Sequence, residues 1–239
     1  MKQEKQKWYK IVRRRVITFL KEFVMEIFLC IALLAFSFAV RAAFFSSDHD
    51  FDNDVFAFIN RHVTTRNTDF LYFITHLGNP NFLLYANILL LIYFLIRKNK
   101  RFSIRVLSLS LSSLCLMLVL KSSIQRTRPD NPLLLAVNGY SFPSGHALMS
   151  VIFYGLLIYI VWHEIRNTWL RRVTVVLLAL LILFIGFSRI YLRVHYASDV
   201  LAGLSVGFIW LVTSLWLINQ IEVRRARRRL VPQTPLIKE

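Results

Sequence analysis

The sequence predicts an all-α polytopic membrane protein, with six transmembrane helices in one bundle and a short interfacial helix on the outer side. The first observation is composition: 56% of the 239 residues are hydrophobic, 20 are phenylalanine and the mean hydropathy is +0.52, too apolar for a soluble domain of this length. The second is periodicity, because the apolar residues gather into runs near the ~20 that a helix needs to cross ~30 Å of hydrocarbon. The third is charge, which collects in the segments between runs and differs from one side to the other.

In order, the runs are Phe23 to Phe45, Leu77 to Ile96, Phe102 to Leu120, Ala147 to Trp162, Val173 to Phe187 and Val200 to Ile218. The shorter ones suffice if flanking residues snorkel or the helix continues into the headgroups. The first follows a basic start, as in a signal peptide, yet it is long and no clean small-residue cleavage site follows, so it reads as an uncleaved anchor. The chain thus divides into a basic N-terminus (1–22), a six-helix membrane domain (23–220, with an outer segment at 46–76) and a basic C-terminal tail (221–239).

If the spans alternate, both termini and the segments at 97–105 and 163–172 share one side, and that side holds 22 of the 30 basic residues. The positive-inside rule makes it cytoplasmic. The expected location is the cytoplasmic (inner) membrane, with both termini inside. The formal charge of +17 is therefore a topology signal, and "RRARRR" at 224–229 needs no nucleic-acid partner.

The outer segment is different, carrying Asp48, Asp50, Asp52, Asp54 and Asp69. Within it, "FDNDVFAFINRHV" places Phe51, Val55, Phe58, Ile59 and His62 on one helical face, as for a helix lying at the interface. Cys30 and Cys115 fall inside apolar runs and read as small hydrophobes. His49, His62, His76 and His163 read as packing or interface residues, and the serines of "SLSLSSL" and glycines of "AGLSVGF" as small residues that let helices approach.

Three polar clusters remain, all at the outer ends of runs. "KSSIQRTRP" ends the third run with Lys121 and Arg128, and Pro129 holds Arg128 extended. An arginine fork beside a compact ammonium suits a phosphate, although a lone lysine there is an ordinary snorkelling anchor. "FPSGHA" sets Ser144, Gly145 and His146 at the start of the fourth run, either a helix-capping turn or an anion site on the free N–H groups of a first turn. "SRIYLRVHYASD" spaces His195 and Asp199 at i, i+4, so the carboxylate can hold one imidazole nitrogen protonated and leave the other as base or nucleophile. The same pair serves equally as a structural hydrogen bond. Arg189 adds a third cation, and clustered cations repel unless an anion sits among them. Arg126 and Arg193 flank the motifs as second contacts to that anion or as surface anchors.

Together, "KxxxxxxRP", "PSGH" and "SRxxxxxHxxxD" occur complete and in order, fixing eleven identities within residues 121–199, each near ~1 in 20 by chance. This resembles the type 2 phosphatidic acid phosphatase superfamily of membrane lipid phosphatases, whose six-span layout also matches. The resemblance implies that His195, oriented by Asp199, attacks phosphorus to form a phosphohistidine, and that His146 protonates the leaving oxygen. Lys121, Arg128 and Arg189, with the Ser144 hydroxyl and Gly145 amide, would bind the phosphoryl oxygens. It implies no metal and no cofactor, and the sequence has no carboxylate or histidine cluster at metal-ligand spacing apart from the assigned pair.

The implied substrate is a lipid phosphate met on the extracytoplasmic side, its headgroup in the site and its tails in the membrane lipid. Undecaprenyl diphosphate and phosphatidylglycerol phosphate lead. A lipid A or sphingolipid-type headgroup uses the same site, for hydrolysis or phosphate transfer. A non-enzymatic anion channel or transporter is disfavoured, because the ionisable residues keep to one end of apolar spans.

Overall fold

The computed structural model describes the backbone at residues 2–45, 50–134 and 139–230, and side chains within those stretches from Phe23 to Ala226. Helix is the only regular element there, in the order α1 (Lys2–Phe44), α2 (Asp50–Asn60), α3 (Thr65–His76), α4 (Pro80–Ile96), α5 (Lys100–Ser123), α6 (Gly145–Glu164), α7 (Thr168–Tyr191) and α8 (Ala197–Leu230). The expected loose tail at 231–239, the residues around Asp48 and His49, and the side chains of the basic N-terminus lie outside the described residues.

Local chemistry sets the helix starts. Asn99 accepts from Phe102 N–H ahead of α5, and Asn167 accepts from Trp169 and Leu170 N–H ahead of α7. Each asparagine satisfies amides that the first turn leaves unpaired. Asn79 does the same for α4, where Pro80 occupies a first-turn position that needs no N–H.

Five helices are long and apolar enough to cross a membrane: Phe23–Phe44 of α1, Lys100–Ser123, Gly145–Glu164, Thr168–Tyr191 and Ala197–Ala226. The second predicted run is where the structure departs from a simple span. Pro80–Ile96 has only 17 residues, and only together with α3, across a 43° bend, does it reach the length and apolarity of a crossing. The break falls at "LGNP", residues 77–80, where a proline and an asparagine cap interrupt the helix.

The outer segment likewise holds two helices, α2 and α3, where the sequence analysis expected one. Its predicted apolar face is also turned. Ile59 is buried and Phe51 and Val55 are half-buried as expected, but Phe58 and His62 are exposed, and the most enclosed side chain of α2 is Asp52.

Helix α6 is the axis of the bundle. Fully 56% of its membrane window is enclosed, against 11% for α1, and it packs on α4, α5, α7 and α8. Leu148, Ile152 and Leu156 of α6 meet Phe94, Val106, Leu109 and Leu211 in the largest core. Lipid is as apolar as leucine, so close packing and interhelical hydrogen bonds hold such a bundle together more than burial does. The "SLSLSSL" serines supply two such bonds, from Ser110 to Asn87 on α4 (2.6 Å) and from Trp210 of α8 to Ser112 (3.1 Å). Cys30 and Cys115 are exposed on the outer surfaces of α1 and α5, where the sequence analysis had them buried.

Helices α6 and α8 approach through glycine. A methyl group on Gly203 would lie 2.6 Å from the Ser144 carbonyl oxygen, and one on Gly207 2.8 Å from that of Leu148. Neither backbone oxygen can rotate away. Gly203→Ala is therefore expected to destabilise the bundle by ~1–3 kcal/mol, read as a thermal midpoint several degrees lower in detergent. An unchanged midpoint would contradict this contact.

Candidate active site

The three polar clusters converge at one end of the bundle. The turn from α7 into α8 explains the spacing of "SRxxxxxHxxxD". Leu192 caps α7, Arg193 takes a left-handed conformation (φ 53°), and the chain folds back so that the Val194 and His195 amides donate to the Arg189 carbonyl at 3.1 and 3.3 Å. His195 then precedes α8, and Asp199 lies in its first turn.

His195 is 2% exposed, and its two ring nitrogens face different partners. Nδ1 faces Asp199 Oδ2 at 3.6 Å and the Ser141 hydroxyl at 3.4 Å. Nε2 faces Arg128 Nη1 at 3.3 Å, a cation with which it makes a bond only as an acceptor. The geometry favours the tautomer with the proton on Nδ1 and the lone pair of Nε2 beside Arg128. Burial holds the His195 imidazole down at about pKa 4; Asp199 pulls it up and the charges of Arg128 and Arg189 push it down again.

Arg128 is braced by the chain. Its Nε donates to the Gly139 carbonyl (2.8 Å) and its Nη1 to that of Val194 (2.7 Å), as the extended backbone before Pro129 foreshadows. Burial lowers its pKa, and Asp199 opposes that. Arg189 is 2% exposed and donates from Nη1 to the Thr75 hydroxyl at 2.6 Å, while its buried Nε has no hydrogen-bond partner among the described residues. Lys121 lies close enough to Arg128 and Arg189 for their charges to act on it, and its Cε is 3.9 Å from where a Gly145 methyl would stand. Four cationic or potentially cationic groups thus crowd one space.

The "PSGH" turn joins them by its backbone. Ser144 N–H donates to the Asp199 carbonyl (3.0 Å), and the Ser144 hydroxyl caps α6 by accepting from Ala147 N–H at a long 3.5 Å. The capping role is real, and the long bond leaves the hydroxyl weakly engaged. His146 is half-buried and sits among Arg189, His195, Lys121 and Arg128. Gly78, at the break between α3 and α4, lies against it; a methyl there would stand 3.4 Å from the His146 ring and overlap Ile185.

The two flanking arginines are both engaged by other side chains of the protein. Arg126 is buried beneath Asp199, donating to Asp199 Oδ1 (2.6 Å), Ser198 Oγ (2.8 Å) and Asp52 Oδ2 (2.9 Å). Arg193 donates to Asn60 on α2. His62, His76 and His163 are exposed, with Nδ1 of each facing the carbonyl four residues back.

Ser141, Thr75 and Asp52 escaped the sequence reading. Ser141 hydrogen-bonds Asp199 and faces His195, but one serine before "FPSGH" carries no pattern. Asp52 sat in an acidic run that reads as a solvated face. Its spacing from Val55, Phe56 and Ile59 was the available signal, since i, i+3, i+4 and i+7 share a side of a helix.

The bundle gathers three cations, two histidines and a buried carboxylate at one end, a setting that suits an anion. The chain belongs to the PAP2 superfamily, whose model matches residues 102–222. It is 35% identical over 92 residues to phosphatidylglycerophosphatase B of Bacillus subtilis (strain 168), a match covering 38% of this chain and 45% of that one. The chain spans about half the length, or less, of the curated relatives it matches. Among solved structures it resembles the transmembrane PAP2-type phosphatidylglycerolphosphate phosphatase of Bacillus subtilis, with a TM-score of 0.70 and 25% identity, covering 82% of this chain and 96% of that one. It also resembles Aquifex aeolicus LpxE, with a TM-score of 0.55 and 26% identity over 68% of this chain and 93% of that one.

A His195 pKa of about 4 in the fold, below the ~6.5 of an unfolded histidine, means that the unfolded chain takes up the proton first as pH falls. This contribution is complete above pH ~6.5 and is lost progressively toward pH 4, by about 3 kcal/mol at most. The thermal midpoint is expected to fall across that window, with a shallower slope in His195→Gln. Equal slopes would show that His195 is not held neutral.

Proposed function

We propose that this protein is a lipid phosphatase that hydrolyses a phosphomonoester or diphosphate headgroup at the extracytoplasmic surface through a phosphohistidine on His195. The observation that carries the reading is the division of the imidazole, with Nδ1 toward Asp199 and Nε2 toward the Arg128 fork. The unpartnered Nε of buried Arg189 supports it, because an anion would complete that guanidinium.

In this reading Arg128, Arg189 and Lys121 bind the non-bridging oxygens and balance the charge that grows in the transition state. The Gly145 amide at the start of α6 and the Ser144 hydroxyl add neutral donors. Nε2 of His195 attacks phosphorus as the bond to the leaving oxygen breaks, and His146 gives that oxygen its proton. Nδ1–H of the resulting phosphohistidine keeps its partner in Asp199. His146, now neutral, takes a proton from water as the water oxygen attacks phosphorus and the P–N bond breaks. Phosphate leaves and His146 is again protonated, so the cycle balances with no cofactor.

The site needs no metal in this reading, since the fixed cations do the work of one. The membrane placement follows the charge asymmetry of the chain, with both termini cytoplasmic. Phosphatidylglycerol phosphate leads among substrates because two relatives of that name are similar to this chain, and undecaprenyl diphosphate fits the same chemistry. The likeness to LpxE keeps a lipid A headgroup as the second reading.

The test is phosphate release by purified protein from a panel of phosphatidylglycerol phosphate, undecaprenyl diphosphate, a lipid A phosphate and a sphingoid phosphate. Chelator is expected to leave turnover unchanged, and His195→Ala to lower it by about 10³-fold or more while the protein still inserts. Substantial turnover by His195→Ala would remove the nucleophile assignment, and inactivation by chelator the metal-free one.

A further inference from the structure

We propose that Asp52, on the helix α2 that lies outside the residues matched by the family model, is a positioning residue for the His195–Asp199 pair and acts through Arg126. The inference rests on the phosphatase reading and adds to it a residue from another part of the chain.

A carboxylate with no solvent exposure, such as Asp199, is stable as an anion only with partners on each oxygen. Arg126 Nη1 takes Oδ1 at 2.6 Å, while Ser141 and the Tyr196 amide (2.9 Å) take Oδ2, the oxygen that faces His195. Arg126 is itself buried and its second terminal nitrogen needs an acceptor, which Asp52 provides at 2.9 Å from Nη2. The planar guanidinium therefore bridges two carboxylates of 0% side-chain exposure, and its rigid fork sets their separation.

Asp52 grips the catalytic helix directly as well. Its Oδ1 accepts the Ser198 amide (2.9 Å) and its Oδ2 the Ser198 hydroxyl (2.7 Å). Ser198 is in the first turn of α8, where an amide lacks a helical acceptor and a negative charge is favoured. Asp52 thus caps α8 from another helix, one residue from Asp199. The Tyr196 ring lies 4.0 Å over the Arg126 guanidinium, and Phe56 of α2 packs against that ring. Asp199 Oδ1 is thus held by an arginine that Asp52 fixes in turn.

The consequence is for chemistry more than for substrate binding. Arg128, Arg189 and Lys121 have no bond to Asp52 among the described residues, so its loss leaves the phosphate-binding cations in place. What it frees is the carboxylate that orients the nucleophile, and a displacement of ~1 Å there costs about 10²-fold in rate.

The experiment uses full-length protein in detergent with the best substrate of the panel. Asp52→Asn keeps the shape and an acceptor for Ser198 but loses the ion pair. It is expected to lower kcat by at least tenfold while KM and the inhibition constant of inorganic phosphate stay within about twofold. Asp52→Glu, which restores the charge, is expected to recover part of the loss, and Asp54→Asn, exposed on the same helix, to match wild type. A wild-type kcat in Asp52→Asn, or KM and the phosphate inhibition constant rising together with the fall in kcat, would overturn the proposal. If Asp52→Asn fails to accumulate as a monodisperse species, Ser198→Ala decides: a kcat loss of about threefold or more at constant KM supports the proposal, and an unchanged kcat overturns it. Wild-type protein that releases no phosphate would instead refute the phosphatase reading itself.

Discussion

A buried negative charge organises this end of the molecule. Asp199 has no solvent to stabilise it, so the fold surrounds it with Arg126, Ser141, the Tyr196 amide and His195, drawn from the α5–α6 connection and the start of α8. Its backbone is committed too, because its carbonyl accepts the Ser144 amide and so ties the "PSGH" turn to α8. Three stretches far apart in sequence meet because each supplies something that one carboxylate needs.

Around that anion the cations fall into two kinds. Arg126 is spent on carboxylates, its charge matched by Asp52 and Asp199. Arg128 and Arg189 are held by neutral groups instead: Arg128 by the Gly139 and Val194 carbonyls and Arg189 by the Thr75 hydroxyl. Neutral acceptors fix where a guanidinium points without cancelling its charge. Positive potential is thereby kept beside His195 Nε2, where a phosphoryl group would develop negative charge.

Most of the helical plan was legible in the sequence, because lipid imposes long apolar runs and the runs were counted directly. The exception was the second run, where α4 with 17 residues falls short of the other spans and the chain bends at residues 77–80 from α3. The motif residues were legible from identity and spacing. Their supports were not, since Ser141, Thr75 and Asp52 are common residue types whose importance is entirely a matter of what lies across from them. Arg126 was visible, but the two readings open to it, a second anion contact or a surface anchor, left out its neighbours Asp52, Ser198 and Asp199, which turn it into the interior. An arginine's role depends on which anion is nearer, and only the fold supplies that distance.

The glycine contact between α6 and α8 bears on how the protein answers its bilayer. Gly203 seats α8 against the Ser144 carbonyl, and the Asp199 carbonyl takes the Ser144 amide, so the nucleophile pair and the anion-binding turn ride on one rigid two-helix unit. Lys121 rides on α5, a separate helix at the edge of that unit. Helices accommodate thicker or thinner membranes by tilting. Tilt of α5 would move the Lys121 ammonium relative to the His195 imidazole and Asp199 carboxylate, so bilayer thickness would bear on how near the third cation stands to the other two.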